Sequence, residues 1–282
     1  MQRVSARERI AEGFDLAGYL ERIGYARPRT PTLSALRELH ARHTAVIPFE
    51  NIDPLMGRPV ALDLPALQAK IVRGRRGGYC YEQNTLFAAA LDALGFAVTR
   101  LAARVRWNAP PEAPEGPRTH MLLRADIAGT AYVADVGFGG YILAGPLILA
   151  PGLEQTDWGN RVRFVENDGR YTLQLYRSGG WHDIYRFTLE PQLPADFALG
   201  NWWTSTHPAA LLTGNLLAER LTPEARFSLF NAKLTTRHAG GGMEERSLAG
   251  PDDLERVLTG IFAIEPPASP REIWARLPGD RP

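Results

Sequence analysis

The sequence predicts an α+β protein in three successive parts: a helical first third, an antiparallel β meander that curls toward a barrel, and a mixed final third. Three observations predict this. Apolar residues recur at helical spacing as far as Gly95, the period changes to that of a strand from Ala97 onward, and glycine-bearing turns at Gly129, Asp168-Gly169 and Gly179-Gly180 separate the alternating runs.

In the first third, Phe14 and Asp15 read as a hydrophobic staple and N-cap before a helix faced by Leu16, Tyr19, Leu20 and Ile23, with Gly24 as its stop. A second helix follows Thr32, carries Leu33, Leu36 and Leu39, and ends before Pro48, because the residue before a proline disfavours helical backbone. His40 and His43 lie three apart on it. No cysteine or carboxylate follows at a metal-ligand spacing, so no metal site is expected. Asp63, Leu64 and Pro65 open a third helix with Leu64, Leu67 and Ile71 on one side. A fourth starts near Cys80, buries Leu86, Phe87, Ala90, Leu91 and Leu94, and stops at Gly95. Burying that stripe fixes the helix, and the helix fixes the thiol.

In the middle third, Ala97, Thr99, Leu101, Ala103, Val105 and Trp107 occupy one face of a strand and Arg100, Arg104 and Arg106 the other. A surface connection rich in proline (Pro110, Pro111, Pro114, Pro117) precedes strands over 119–126 and 131–136. Strands over 162–166 and 171–177 flank Asn167-Asp168-Gly169-Arg170, where Asp-Gly between alternating runs marks a hairpin, and a strand over 181–189 follows. In the final third, strands over 229–237 and 243–248 flank Gly240-Gly241-Gly242. Asp252 caps a helix carrying Leu254, Val257, Leu258 and Ile261, and a short helix surrounds Ile273-Trp274. The triple glycine reads as a hairpin tip, since a phosphate loop needs the Lys-Ser/Thr ending that is absent.

Composition narrows the function. Lys+Arg of 32 against Asp+Glu of 31 leave a net charge of +1, so no global field points to nucleic acid or an anionic membrane. A single cysteine excludes an internal disulfide, and the charged residues Arg3, Arg7, Glu8 and Arg9 lead into no apolar run of signal-peptide or membrane-span type, so a cytoplasmic location is expected.

That cysteine sits in Arg76-Gly77-Gly78-Tyr79-Cys80-Tyr81-Glu82-Gln83-Asn84. At a helix start, unpaired N–H groups and the macrodipole favour a thiolate, while the competing reading of a lone cysteine is a small buried hydrophobe. A nucleophilic cysteine needs a base and a group that orients the base. With Ala128-Gly129 as a two-residue turn, His120 faces residue 137 and Asp135 faces residue 122, so both side chains project from one face at diagonal positions. A two-residue shift of pairing sets them directly opposite, and only a one-residue slip separates them. Asp135 also interrupts an apolar run, and a buried carboxylate demands a partner. The alternatives are that Asp135 ends a strand and His120 is a satisfied core histidine.

Arg76-Gly77-Gly78-Tyr79-Cys80 with Asn84, Thr119-His120 and Asp135-Val136-Gly137-Phe138-Gly139 together resemble the cysteine, histidine and aspartate signature of the arylamine N-acetyltransferases. Ile47-Pro48-Phe49-Glu50-Asn51 and Ser205-Thr206-His207-Pro208 are similar to two further motifs of that family. The resemblance implies a helical bundle over 1–95 carrying the nucleophile, a β-barrel over 96–200 carrying the histidine and aspartate, an α/β lid over 201–282, and a papain-like Cys-His-Asp arrangement. It implies a ping-pong acetyl transfer through a Cys80 thioester, with His120 relaying protons and Asp135 holding its tautomer. The co-substrate is acetyl-CoA, with no permanently bound cofactor. The acceptor is a small aromatic amine or hydrazine, and a homodimer is compatible. Phe49, Val105, Trp107 and Phe138 are expected to line the acceptor cleft, and Gly137 and Gly139 to let backbone N–H groups approach the coenzyme. Leu211 and Leu212 stand where the family often has an aromatic residue, and Glu50 and Arg76 are expected to form a buried ion pair. Rival readings are a papain-like or transglutaminase-like enzyme acting on peptides, or an amide synthase of the same family.

Overall fold

In the computed structural model, which describes residues 13–26, 30–110 and 112–278, the helices of the first third begin at the expected caps. Asp15 Oδ1 accepts from Gly18 N at 2.8 Å and opens α1 (Leu16–Arg22), and Thr32 Oγ1 accepts from Ala35 N at 3.2 Å before α2 (Leu33–Val46). A two-residue strand β1 (Phe49–Glu50) and the single turn α3 (Ile52–Leu55) follow. Asp63 caps α4 (Leu64–Leu67), which widens directly into a π-helical turn, Gln68–Arg73. The next helix, α5 (Cys80–Ala93), carries the thiol on its first residue, and Gly95 ends the run at φ 86°. The charged amino terminus and Pro111 of the proline-rich connection lie outside the described residues.

Eight strands form one antiparallel sheet. They are β2 (Ala97–Val105), β3 (Arg118–Ile127), β4 (Thr130–Ala134), β5 (Leu147–Ile148), β6 (Glu154–Asp157), β7 (Asn160–Asn167), β8 (Arg170–Arg177) and β9 (Gly180–Phe187), in the order β5-β4-β3-β2-β9-β8-β7-β6. Ala128-Gly129, Asp168-Gly169 and Ser178-Gly179 all make two-residue turns with both residues at positive φ, the turn whose twist suits the flanking strands. The sheet curls until its edges meet. There the Gln155 amide of β6 donates to Ile148 O and accepts from Ile148 N of β5, each at 2.8 Å, so a side chain clips the barrel seam in place of a strand ladder.

Alternation along β3 divides the protein's core. Leu122 faces the barrel interior with Leu101, Val133, Leu173 and Tyr185, while Met121, Leu123 and Ala125 pack outward with Leu86, Phe87 and Leu91 of α5. The row expected on β2 fails at its end. Val105 is 38% exposed, whereas Arg106 is only 3% exposed, because its guanidinium turns back to donate to Pro110 O at 2.7 Å and Ala113 O at 2.9 Å and so ties down the proline-rich connection.

The final third departs most from expectation. The strand expected over 229–237 is two strands, β11 (Ala225–Phe230) and β12 (Lys233–His238), folded at Asn231 with φ 52°. Three elements lie where no regular structure is predicted: α6 (Pro194–Thr206), α7 (Leu211–Gly214) and β10 (Leu217–Leu221). The triple glycine does turn β12 into β13 (Met243–Ser247). Next, α8 (Pro251–Arg256) is capped by Gly250 at φ 155°; Asp252 lies inside its first turn, not at the cap, and a second π-helical turn, Val257–Ile261, continues it. Ser269 caps α9 (Pro270–Trp274). The second sheet has the order β1-β10-β11-β12-β13, so Phe49 and Glu50 pair with Glu219 and Ala218 and stitch the first third to the last. Helix α6 runs across the boundary expected at 200/201. Among the described residues, no helix is long and apolar enough to cross a membrane.

The Glu50–Arg76 pair is present and belongs to a buried cluster. Arg76 Nη2 is 2.6 Å from Glu50 Oε1 and 3.1 Å from Asp53 Oδ2, and Lys70 Nζ is 2.7 Å from both Asp53 Oδ2 and Glu82 Oε1. Burial by itself lowers the proton affinity of Arg76, but Glu50 and Asp53 outweigh it and raise the guanidinium pKa. Removing one member leaves a buried charge without compensation. Arg76→Met is therefore expected to destabilise the fold by about 3–5 kcal/mol in urea unfolding; a change near zero would show that the cluster holds nothing together.

Candidate active site

The nucleophile turn is built on close backbone approach. A Cβ on Gly77 would collide with Pro48 O, and one on Gly78 would sit 2.9 Å from Glu82 Cβ, so both positions require glycine. Glu50 N donates to Gly78 O at 3.0 Å, and Gln83 Nε2 donates to Pro48 O at 2.8 Å and Gly78 O at 3.0 Å. Glu82 reaches back to accept from Tyr79 N at 3.1 Å, the reciprocal cap of a helix start. Cys80 thus begins α5 in a turn held from both sides.

The β3–β4 register follows the two-residue turn. Ile127 pairs with Thr130 and Leu123 with Ala134, which places His120 and Asp135 on one face, and His120 Nε2 lies 2.7 Å from Asp135 Oδ2. A β-bulge completes the geometry. Ala103 pairs with His120 but Arg104 pairs with Arg118, leaving Thr119 as the extra residue, and its carbonyl accepts from Cys80 Sγ at 3.6 Å. With Nε2 engaged by the carboxylate, Nδ1 is the ring nitrogen left for the thiol, and Cys80 lies near enough to the ring to add to its proton affinity. Burial alone would lower the His120 pKa, but the Asp135 charge and hydrogen bond, together with Cys80, push it up to about 10. Burial likewise favours neutral Asp135, yet His120, Asn84 and the Gly137 amide hold its pKa below the usual carboxylate range.

Several residues beyond the expected three hold this line. Asn84, one helical turn after Cys80, donates Nδ2 to Asp135 Oδ1 at 3.0 Å and to Met121 O at 2.8 Å, and its Oδ1 accepts from Val136 N at 3.2 Å. One helix therefore carries the thiol and orients the carboxylate. His40 Nε2 donates to the Asp135 carbonyl at 3.1 Å. His43 donates Nε2–H to Gln83 Oε1 at 2.6 Å and accepts from Tyr19 Oη at 2.8 Å on Nδ1. The Tyr185 ring lies 5.0 Å from His120. The His40–His43 spacing was a sequence signal for this network, whereas Tyr185 gave none.

Because both supporting histidines are buried neutral, burial lowers the pKa of His40 to about 4 and of His43 to about 3. Below the unfolded value of about 6.5 the unfolded chain takes up protons that the folded chain refuses, so stability is full above that pH and declines from there toward pH 4 and 3. Urea unfolding between pH 7 and 4 is expected to show a slope approaching two extra protons bound on unfolding toward the acid side, with His120 opposing it near pH 7, where only the folded state holds its proton, and contributing none at the acid end, where both states do. A slope explained by carboxylates alone would contradict this.

Of the residues expected to contact substrates, Phe138 packs edge-on against His120 with ring centroids 5.0 Å apart, and Trp107 stands 6.3 Å from Phe138. Phe49 is buried with Cys80 in one cluster, and Val105 is at the exposed end of β2. The Gly137 N–H is not free for a coenzyme. It donates to Asp135 Oδ1 at 3.1 Å, and a Cβ there would meet Cys80 Cα at 2.9 Å, so this glycine serves the close seating of the aspartate turn on the nucleophile. A Cβ on Gly139 would run into the Phe49 ring. Leu212 is buried and Leu211 is 56% exposed. Cys80 keeps 5% exposure, and cavities of about 610 Å3 beside α8 and about 380 Å3 beside the barrel seam lie away from the triad.

A thiol on a helix start, beside an imidazole that a buried carboxylate holds, fits the class of enzymes that pass an acyl group through cysteine. The comparisons agree with that class. The N-acetyltransferase family profile matches residues 32–269. The chain is 42% identical over 267 residues to an arylamine N-acetyltransferase of Mycolicibacterium smegmatis, covering 93% of this chain and 97% of that one. It is 39% identical over 253 residues to that of Mycobacterium tuberculosis, covering 89% of each. The structure of the Mycobacterium marinum arylamine N-acetyltransferase in complex with CoA superposes with a TM-score of 0.88 at 38% identity, over 93% of this chain and 98% of that one. The chain belongs to the arylamine N-acetyltransferase family.

Proposed function

We propose that this protein moves the acetyl group of acetyl-CoA through Cys80 to a small aromatic amine or hydrazine. The observation that carries the reading is the buried His120 Nε2–Asp135 Oδ2 pair at 2.7 Å with Cys80 beside that ring, in a member of this family. The Cys80 sulfur attacks the thioester carbonyl as the thiolate beside the His120 imidazolium. The tetrahedral intermediate then collapses, the carbon–sulfur bond to CoA breaks, and the departing CoA sulfur takes the His120 proton. The product is an acetyl thioester on Cys80 with a neutral imidazole. In the second half a neutral amine attacks that carbonyl, His120 removes the proton from the amine nitrogen, and the Cys80 sulfur leaves as the thiolate. A positioned base of this kind contributes about 10²–10⁴ in rate.

Phe49, Val105, Trp107 and Phe138 are the side chains to which we assign the apolar cleft, with Gly139 beside the coenzyme path and Leu212 widening one wall relative to an aromatic residue. The described residues are compatible with the three-part reading of bundle, barrel and lid, and the intact cysteine favours a cytoplasmic protein. A homodimer is testable by solution mass. The decisive experiment is intact-mass measurement after mixing with acetyl-CoA. A gain of one acetyl group, lost on adding an aniline, supports the reading; no gain, or hydrolysis of peptides in its place, overturns it.

A further inference from the structure

Along β8 the inward-facing row runs Leu173, Leu175, Arg177. The two leucines are buried in the barrel interior, but the third position is the last of the strand, where the Arg177 guanidinium lies 4.7 Å over the Trp107 ring. Trp107 leads to Phe138, and Phe138 to His120. The wall here is tightly built, since a Cβ on Gly140 would sit 2.8 Å from Trp107 Nε1. Arg177 donates Nη2 to Asn108 Oδ1 at 2.8 Å, and Asn108 is held at φ 59°, a left-handed backbone uncommon for a residue with a side chain. Of the other arginines on β7 and β9, Arg161 is neutralised by Glu154 at 2.6 Å and Arg186 by Asp183 at 2.6 Å, while Arg163 lies over Trp181 and donates to the Gln174 amide at 2.9 Å. Among the described residues, Arg177 has no carboxylate partner.

We propose that Arg177, stationed beyond Trp107 and Phe138 from His120, is an anion-binding residue and holds a phosphate of acetyl-CoA. The proposal rests on the reading of acetyl-CoA as donor. A guanidinium stacked on an indole keeps its in-plane N–H edge for a bidentate oxyanion and loses little freedom in binding it. Trp107 and Phe138 both lie between Arg177 and His120, so a carboxylate on a single-ring acceptor whose nitrogen is at Cys80 falls short of the guanidinium. The coenzyme places its phosphates at the far end of a long pantetheine arm, on the scale this row of rings requires.

The test compares acetyl-CoA with S-acetyl-N-acetylcysteamine, a thioester donor without phosphate, in wild type, Arg177→Leu, Arg177→Lys and the outlying control Arg161→Leu. Losing one charge-assisted bidentate contact is expected to lower the preference for acetyl-CoA over the short donor about ten- to a hundred-fold in Arg177→Leu, through KM for acetyl-CoA. Arg177→Lys is expected to keep a part of the preference and Arg161→Leu all of it. The wild-type KM for acetyl-CoA should rise with ionic strength and that of Arg177→Leu should not. An unchanged donor preference in Arg177→Leu overturns the proposal, as does a loss seen only for 4-aminobenzoate relative to aniline. A wild-type protein that neither donor acetylates overturns the functional reading itself, a result distinct from either of these.

Discussion

Cys80→Ala is expected to show no mass gain with acetyl-CoA and to lose arylamine acetylation by a factor on the order of 10⁶, the scale found when a nucleophile is removed from a triad whose members act as a unit. Nothing else in the site can substitute. Cys80 is the only cysteine of the chain, and His120 has its Nε2 committed to Asp135. The variant is expected to remain folded, because alanine suits the first turn of α5 and the only hydrogen bond the sulfur makes is a long one to Thr119 O. Circular dichroism and thermal unfolding close to wild type would separate lost chemistry from lost structure. Wild-type turnover in the folded variant would refute covalent transfer.

Asp135→Asn is the second large effect, expected near a 10⁴-fold loss in turnover by analogy with the orienting carboxylate of serine triads. The hydrogen-bond inventory gives the reason. Three donors, His120 Nε2–H, Asn84 Nδ2–H and Gly137 N–H, converge on the two carboxylate oxygens. An asparagine offers one oxygen and one NH2. Either orientation sets donor against donor, so the ring turns or changes tautomer, or the aspartate turn lifts from Cys80. The variant also removes the charge that raises the His120 pKa to about 10, and the alkaline limb of the acetyl-enzyme formation rate should move down from about pH 10. For stability the sign runs the same way. A raised histidine pKa stabilises fully below its unfolded value of about 6.5 and ceases to do so as pH rises toward 10, while Asp135 gives up its part as acid protonates it. The stability gap between wild type and variant should thus be widest near pH 5–6.5 and narrow toward pH 10. An alkaline limb unmoved by the substitution would show that Asp135 does not set the proton affinity of His120.

Legibility varied with how local the determinants are. The caps at Asp15, Thr32 and Asp63 and the turns at Ala128-Gly129 and Asp168-Gly169 were readable because a side chain or a positive φ acts within four residues of itself. The register of β3 and β4, and with it the pairing of His120 and Asp135, followed from one such turn. Residues 194–228 carry no legible pattern, and 229–237 read as one strand instead of two, for the opposite reason. Asn231 bends the chain in the middle of an alternating run, and α6 is held by remote partners, with Gly200 seated against Tyr81 Oη and Asn201 bonded to Tyr79 Oη and to Val60 O at 2.9 Å. The two π-helical turns had no local signature either.

Cys80, His120 and Asp135 stand out in the sequence alone, because a lone cysteine after two glycines, a strand histidine and an aspartate interrupting an apolar run are each anomalous in their own surroundings. Their mutual arrangement came from the folded chain. The Thr119 bulge that aims a carbonyl at the sulfur, the Asn84 and His40 bonds that orient Asp135, the use of the Gly137 amide inside the protein and the placing of Arg177 over Trp107 all depend on segments far apart in the chain. Contacts of that kind are set by the packing of strands and helices against one another, and packing leaves no periodic or compositional trace in either segment alone.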